Sequence, residues 1–263
     1  MPTNLNILFI GDIIGQPGLE MTTTMFRSLM EKYRIDFCIA NGENLTDGKG
    51  ISEEDSKKVF DLGVHVITTG NHVWDRWDSR KVLGANRNIL RPLNYPRDNG
   101  GNGFIVYELE GKAKIGVINV QGRTFMQPLD DPFKTVDWAL SKINEQTKIC
   151  VVDFHAEATA EKIAMGWHLD GRVSAIWGTH THVQTADECV LPGGTGYITD
   201  LGTTGPRNSI LGVEPAQSIS RFLGNPPEYY RGAEGPCKLE GAIFSVDAQT
   251  GRCTGVERVR LDD

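Results

Sequence analysis

Residues 173–182 read VSAIWGTHTH. A short apolar run ends in a glycine and two histidines one residue apart, His180 and His182. A run of this length followed by turn residues fits a strand buried on both faces. The histidines then mark its carboxyl end. In open α/β sheets, ligands collect outside the carboxyl ends of the strands. The stretch therefore bears on the fold and on a site together.

The same form recurs upstream. NILFIGD (6–12) ends at Asp12, and IDFCIANGEN (35–44) ends at Glu43 and Asn44. VHVITTGNH (64–72) ends at Asn71 and His72, and KICVVDFHAE (148–157) carries His155. Helical patterns separate these runs. LEMTTTMFRSLMEKYR (19–34) spaces Leu19, Met25, Leu29 and Tyr33 along one face. SEEDSKKVFDLG (52–63) offers Ser52 as N-cap, acids in its first turn and Gly63 at its close. Further helices are predicted around 75–86 and over 131–143 and 159–169. FIVYELEGKAKIGVINV (104–120) predicts a hairpin turning at Glu110-Gly111-Lys112. The last third reads as β-rich with a closing hairpin. The alternation predicts an α/β fold, with parallel βαβ units early and antiparallel strands late. One domain over 1–263 is expected.

The chain is 39% apolar and 23% charged, ordinary for a protein with a packed core. Its formal net charge of −7 argues against non-specific binding to nucleic acid or to anionic membranes, which needs a basic face. No stretch is long and apolar enough to span a bilayer. MPTNLNILFIGD reads as a first strand rather than a signal peptide. Five scattered cysteines, odd in number and without a Cys-x-x-Cys, lead us to expect a reduced, cytoplasmic setting.

Four of the six histidines belong to the strand-end set. The other two, His65 and His168, fall in a strand body and a helix and read as structural. Taken singly, Asp12 could be a turn residue and Glu43 a loop acid. Five strand ends carrying such groups together argue for one site. Carboxylates, imidazoles and an amide oxygen without thiolates suit Mn, Fe or Zn. The donors are too many for one ion. Two ions about 3.5–4 Å apart would use them, bridged by a carboxylate and a solvent oxygen. Two dications, less two carboxylates and a hydroxide, leave about +1, which suits a phosphate. A bridging hydroxide, formed near neutral pH, would attack phosphorus in line. Arg123 and Arg207 are candidate phosphate clamps, and Trp74 and Trp77 could stack on a base. Ordinary surface and core roles are the simpler reading of those four.

GD at 11–12, GEN at 42–44, GNH at 70–72, His155 and GTHTH at 178–182 follow the order of the calcineurin-like metallophosphoesterases. LFIGDIIGQPG, ANGEN, TTGNHVWD, VDFHAEAT, GWHLDGRVSA and GTHTHVQTAD resemble the YmdB-like bacterial phosphodiesterase branch, nearly along the whole chain. The resemblance implies a four-layer αββα sandwich with mixed sheets. It also implies two metal ions per chain, divalent or mixed-valence, with Fe or Mn favoured. Asp12 and His182 would bind the first ion, Asn71, His155 and His180 the second, and Glu43 both. His72 would be the general acid. On an extended segment residues i and i+2 point the same way, so His180 and His182 could reach two ions side by side.

The wider superfamily usually opens with Asp-x-His, where this chain has Asp12-Ile13-Ile14. Asn44, beside the bridging Glu43, is the natural replacement for the missing imidazole. Its harder amide oxygen shifts preference modestly from Zn toward Mn or Fe. The implied activity is hydrolysis of small phosphodiester or nucleotide substrates, including 2′,3′-cyclic nucleotides, with 3′,5′-cyclic AMP a further candidate. A homo-oligomer is compatible with the sequence. Three rivals stand beside this reading. One is a phosphomonoesterase or protein phosphatase on the same metals. Another is a regulatory binding protein with a structural metal site. The third is an amidohydrolase-type enzyme, whose His-x-His normally ends the first barrel strand.

Overall fold

A computed structural model describes residues 4–226 and 231–263. The chain begins with β1 (Asn4–Ile10) and the two-residue β2 (Asp12–Ile13), then turns into α1 (Gly15–Lys32). Three more parallel strands follow, β3 (Phe37–Asn41), β4 (Val66–Thr68) and β5 (Ile89–Leu90), with α2 (Glu53–Leu62) and α3 (Ser79–Ala85) between them. Ser52 caps α2 by accepting from the Asp55 N–H, and Gly63 closes the helix, as the sequence predicts.

The chain then builds a second sheet. The hairpin β6 (Phe104–Leu109) and β7 (Ala113–Gln121) leads to α4 (Pro132–Ile143), β8 (Cys150–His155), α5 (Thr159–Leu169) and β9 (Ala175–Thr179). Short β10 (Cys189–Val190) and β11 (Gly196–Ile198) finish this sheet, in the order β10-β11-β9-β8-β7-β6. The remainder returns to the first sheet as β12 (Thr203–Pro206), α6 (Pro215–Phe222), β13 (Cys237–Asp247) and β14 (Cys253–Asp262). There the order is β2-β12-β13-β1-β3-β4-β5, and β14 pairs with β13. β13 runs antiparallel to β1, so this sheet is mixed.

Period-2 alternation sorts the strand residues between two faces. Leu5, Ile7 and Phe9 of β1, with Phe37 and Ile39 of β3, face the second sheet. They meet Val117 of β7, Val151 of β8 and Trp177 of β9. Phe9 and Trp177 pack with centroids 4.3 Å apart. The alternate residues Leu8, Ile10, Cys38, Ala40 and Ile67 join the core that includes Leu19, Phe26 and Leu29 of α1 and Val59 of α2. Beyond the second sheet, Ile118, Val152, Phe154 and Ile176 pack on Val136, Leu140 and Ile143 of α4 and Met165 of α5. Three apolar layers between four layers of secondary structure make the αββα sandwich. Among the described residues, no helix is long and apolar enough to cross a membrane.

The strand ends that carry the predicted donors are divided between the sheets: β1, β3 and β4 lie in the first and β8 and β9 in the second. The structure revises two expectations. α6 interrupts the β-rich last third; it is only eight residues long, too short for its periodicity to stand out, and buries no side chain. β9 stops at Thr179, before the two histidines, which take left-handed φ values of 90° (His180) and 59° (His182). They diverge through a strained turn, not through alternation along a strand.

Phe9 is fully buried at the contact between the sheets. Phe9→Ala should lower the unfolding free energy by about 3–5 kcal/mol. The test is the urea midpoint at unchanged slope; a loss below about 1 kcal/mol would remove this contact from the fold's main supports.

Candidate metal centre

Each donor is delivered where an apolar strand gives way to a turn. β1 gives way at Gly11, where only glycine fits: a Cβ there would stand 2.5 Å from the Gly202 carbonyl oxygen. The next residue, Asp12, is fully buried. One of its oxygens, Oδ2, accepts from the His180 N–H at 3.1 Å and lies 3.1 Å from His182 Nε2. Its other oxygen is buried with no hydrogen-bond partner. After β3, the Asn41 side chain accepts from the Glu43 N–H at 3.0 Å and turns the chain. Glu43 is fully buried, and its Oε2 accepts from the His72 N–H at 3.0 Å. Asn44 donates to the Gly48 carbonyl at 3.0 Å, which leaves its own amide oxygen buried and unpartnered. β8 delivers His155, fully buried.

The donors form two overlapping groups: Glu43, His155 and His180, and Asp12, Glu43 and His182, with ligand atoms in each within 4.8 Å of one another. Glu43 belongs to both. His155 Nε2 lies 3.1 Å from Asn71 Oδ1 and 3.1 Å from Glu43 Oε1, the latter within ion-pair reach but without hydrogen-bond alignment. Donors about 2.1 Å from one ion and at right angles to each other lie about 3 Å apart. Asp12 Oδ1, Glu43 Oε1, Asn44 Oδ1 and His182 Nδ1 are buried without a hydrogen-bond partner, and Asp12, Glu43 and His182 belong to one donor group. Buried acceptors without donors are costly unless a cation satisfies them. The residues fit divalent metal ions.

Without a cation, protons take part of that role. Burial alone would raise the Glu43 carboxyl, but the facing His155 overrides it and holds Glu43 down at about 2. Burial would likewise lower the His155 imidazole, and Glu43 overrides it, lifting His155 to about 9. His182 is opposed by burial but raised by its bond to Asp12. Burial, and then the His155 charge, push His180 down to about 3.

The strained His180-Thr181-His182 turn is anchored from below. Thr181 Oγ1 donates to Asp200 Oδ2 at 2.6 Å and accepts from Lys162 Nζ at 3.0 Å. Lys162 and Asp200 form a buried pair at 2.7 Å. That anchor lies between the two histidines and serves both.

A cavity of about 660 Å³ opens onto this cluster, lined by Glu43, Asn44, His72, His180 and His182. Its size is in the range for a small-molecule site. His72 sits in a 3₁₀ turn (Asn71–Trp74), about one-third exposed, with Nδ1 2.8 Å from Asp75 Oδ2. Lys49 and Arg221 bring positive charge to the cavity, with Ile14, Leu211 and Val213 as its apolar wall. Sequence reading missed Asp75, Lys49, Thr181 and Arg221, because none stands at a strand end. The arginines and tryptophans it named do not line the cavity. Arg123 pairs with Asp131 at 3.3 Å and Arg207 with Asp262 at 3.7 Å. Trp74 packs on Tyr95, and Trp77 is 84% exposed under Arg80. His65 and His168 are structural as expected: His65 accepts from the Cys38 N–H, and His168 Nε2 lies 2.9 Å from Asp137.

A four-layer sandwich with carboxylates, imidazoles and amides gathered at the strand ends of both sheets defines a metallophosphoesterase. Residues 8–259 match the family described as YmdB-like protein, and the chain belongs to that family. It is 44% identical over 259 residues to the 2′,3′-cyclic-nucleotide 2′-phosphodiesterase of Bacillus subtilis (strain 168), covering 98% of each chain. The crystal structure of a novel phosphatase from Mycoplasma pneumoniae superposes with a TM-score of 0.93 at 35% identity, covering all of this chain and 95% of that one. A hypothetical protein from Thermus thermophilus superposes at 0.90 with 38% identity, covering 98% of this chain and all of the other.

Gly70 packs against the cluster so closely that a Cβ would stand 2.1 Å from His155 Nε2 and 2.4 Å from Glu43 Oε2. Gly70→Ala should therefore displace both donors. Elemental analysis of the gel-filtered protein should show most of its metal gone while the far-ultraviolet circular dichroism is retained. Full metal content in this variant would place the donors elsewhere.

Proposed function

We propose that this chain is a phosphodiesterase acting on small phosphodiesters, 2′,3′-cyclic nucleotides among them, with two metal ions per chain, Mn or Fe. The observation that carries the proposal is Glu43, shared by two donor groups on the floor of one cavity. Asp12, Asn44 and His182 would hold one ion, Asn71, His155 and His180 the other, and Glu43 would serve both. Such ions would supply Lewis acidity and activate water at neutral pH. The described residues work as one domain, and the five free cysteines, four of them buried, favour a reducing cytoplasm.

The chain's own groups do the rest. Asn71 begins the turn that carries His72, so one residue reaches the donor cluster while its neighbour lines the cavity. Asp75 accepts from His72 Nδ1 and orients the ring, which leaves Nε2 to protonate the leaving oxygen. The bond from the His72 N–H to Glu43 keeps this group in register with the shared carboxylate. Lys49 and Arg221 offset negative charge on the substrate.

The test is a screen of phosphoesters with Mn- and Fe-reconstituted protein, alongside metal analysis. Turnover of 2′,3′-cyclic nucleotides should exceed that of p-nitrophenyl phosphate. The opposite order would favour a monoesterase, and one ion at saturation would end the dinuclear reading. His72→Ala should keep its metal and lose about 10²–10⁴ in rate. The loss should shrink on a nitrophenyl diester, whose leaving group needs little protonation. Equal losses on good and poor leaving groups would take His72 out of the acid role.

A further inference from the structure

Behind His155 lies a buried polar network that the proposed chemistry does not use. At its centre is Asp153, two residues back on β8 and fully buried between the sheets. Three donors converge on its carboxylate. Thr179 Oγ1 of β9 donates to Oδ1 at 2.7 Å. Asn41 Nδ2 of β3 donates to Oδ2 at 3.2 Å, and Thr68 Oγ1 of β4 donates to the same oxygen. Thr179 Oγ1 also contacts His155 Nδ1 at 2.9 Å. Asn41 accepts, through its amide oxygen, from the Glu43 N–H.

Counting protons orders this chain of contacts. A hydroxyl has one proton and can accept as well. With Asp153 as the carboxylate, the Thr179 proton goes to it, so Thr179 can only accept from His155. The Nδ1 of His155 must therefore carry a hydrogen. In the neutral ring, Nε2, the atom facing Glu43 and Asn71, is then the nitrogen with a lone pair to give. The other branch is ordered the same way: Asn41 donates its side-chain N–H to Asp153 and accepts at its oxygen from the Glu43 N–H, which fixes which way the amide lies.

We propose that Asp153 is the positioning residue of the metal centre, acting on His155 through Thr179 and on the Glu43 turn through Asn41. It sets the tautomer of one donor and the backbone of another, and it ties the two sheets that supply them. The proposal rests on the metal-binding reading of the site. Metal-bound histidines commonly give their other N–H to a carboxylate or carbonyl, and removing such a partner costs about 10–100-fold in metal affinity. Here the partner is a carboxylate reached through a hydroxyl.

Thr179→Val keeps the shape of the side chain and removes the relay; Thr179→Ser keeps the hydroxyl. Mn²⁺ binding to the full chain, measured by competition with a chelator, should show one of two equivalents weakened about 10–100-fold in Thr179→Val. The other equivalent should hold, and Thr179→Ser should restore both. Equal weakening of the two equivalents would reduce Thr179 to a packing role, and no weakening would overturn the proposal. A wild-type chain that binds no Mn²⁺ would instead remove the metal reading itself. Should the valine variant fail to fold, ¹⁵N NMR of the wild-type chain loaded with Zn²⁺ decides the tautomer. His155 Nδ1 is expected to be protonated, and a bare Nδ1 contradicts the relay.

Discussion

The donors of this site are divided between two sheets, so everything depends on how rigidly the sheets are held together. Asp12, Glu43 and Asn71 come from the first sheet and His155 and His180 from the second. A slip of about 1 Å between the layers would open the cluster. Two kinds of contact oppose it. The apolar layer sets the spacing, with Trp177 wedged between Phe9 and Phe244. Polar contacts then fix the register, because they work only in one geometry. Asp153 accepts from both sheets, and Asn119 of β7 donates across the gap to the carbonyls of Thr69 and Leu90. Close-packed interiors transmit displacement instead of absorbing it. The same stiffness that protects the core therefore holds the donors in place.

Electrostatics add a second constraint. Asp12, Glu43 and Asp153 are three carboxylates without solvent exposure in a chain of net charge −7. Charges in such a place need partners. His155 and His182 supply part of the compensation, and both are raised by the carboxylates beside them. Burial pushes the Asp153 carboxyl up to about 7, with His155 and the Thr68 and Thr179 hydroxyls opposing a larger rise. An excess of buried acceptors over donors is the electrostatic signature of a cation site.

Much of this was legible in the sequence. Strands buried on both faces are nearly continuous apolar runs, so a polar residue at their carboxyl end stands out. Asp12, Glu43, Asn71, His155 and His180 were found that way, and the structure brings them together. What escaped had a physical reason in each case. Strand patterns do not say which strands share a sheet, so the split of the site was invisible. The left-handed turn at His180 and His182 has no glycine to announce it. α6 is only eight residues long, shorter than the window over which helical periodicity is read. Lys49, Asp75 and Arg221 sit in irregular segments or on exposed helix where charged residues are common. Asp153 did leave a signal: an aspartate in the middle of CVVDFH has no place in a strand buried on both faces unless something inside receives it.

The wall of the cavity has a different origin from its floor. The donors come from the ends of strands scattered through the chain, each tied to the core. The outer wall, from Leu211 to Pro226, is one continuous stretch between β12 and β13 that contributes no donor and includes a helix with no buried side chain. A segment so placed can change in length and composition while leaving the reaction centre untouched. The donors and most of the outer wall are thus carried by separate parts of the chain. Substrate preference in this architecture can diverge by rewriting about one helix and its flanking turns.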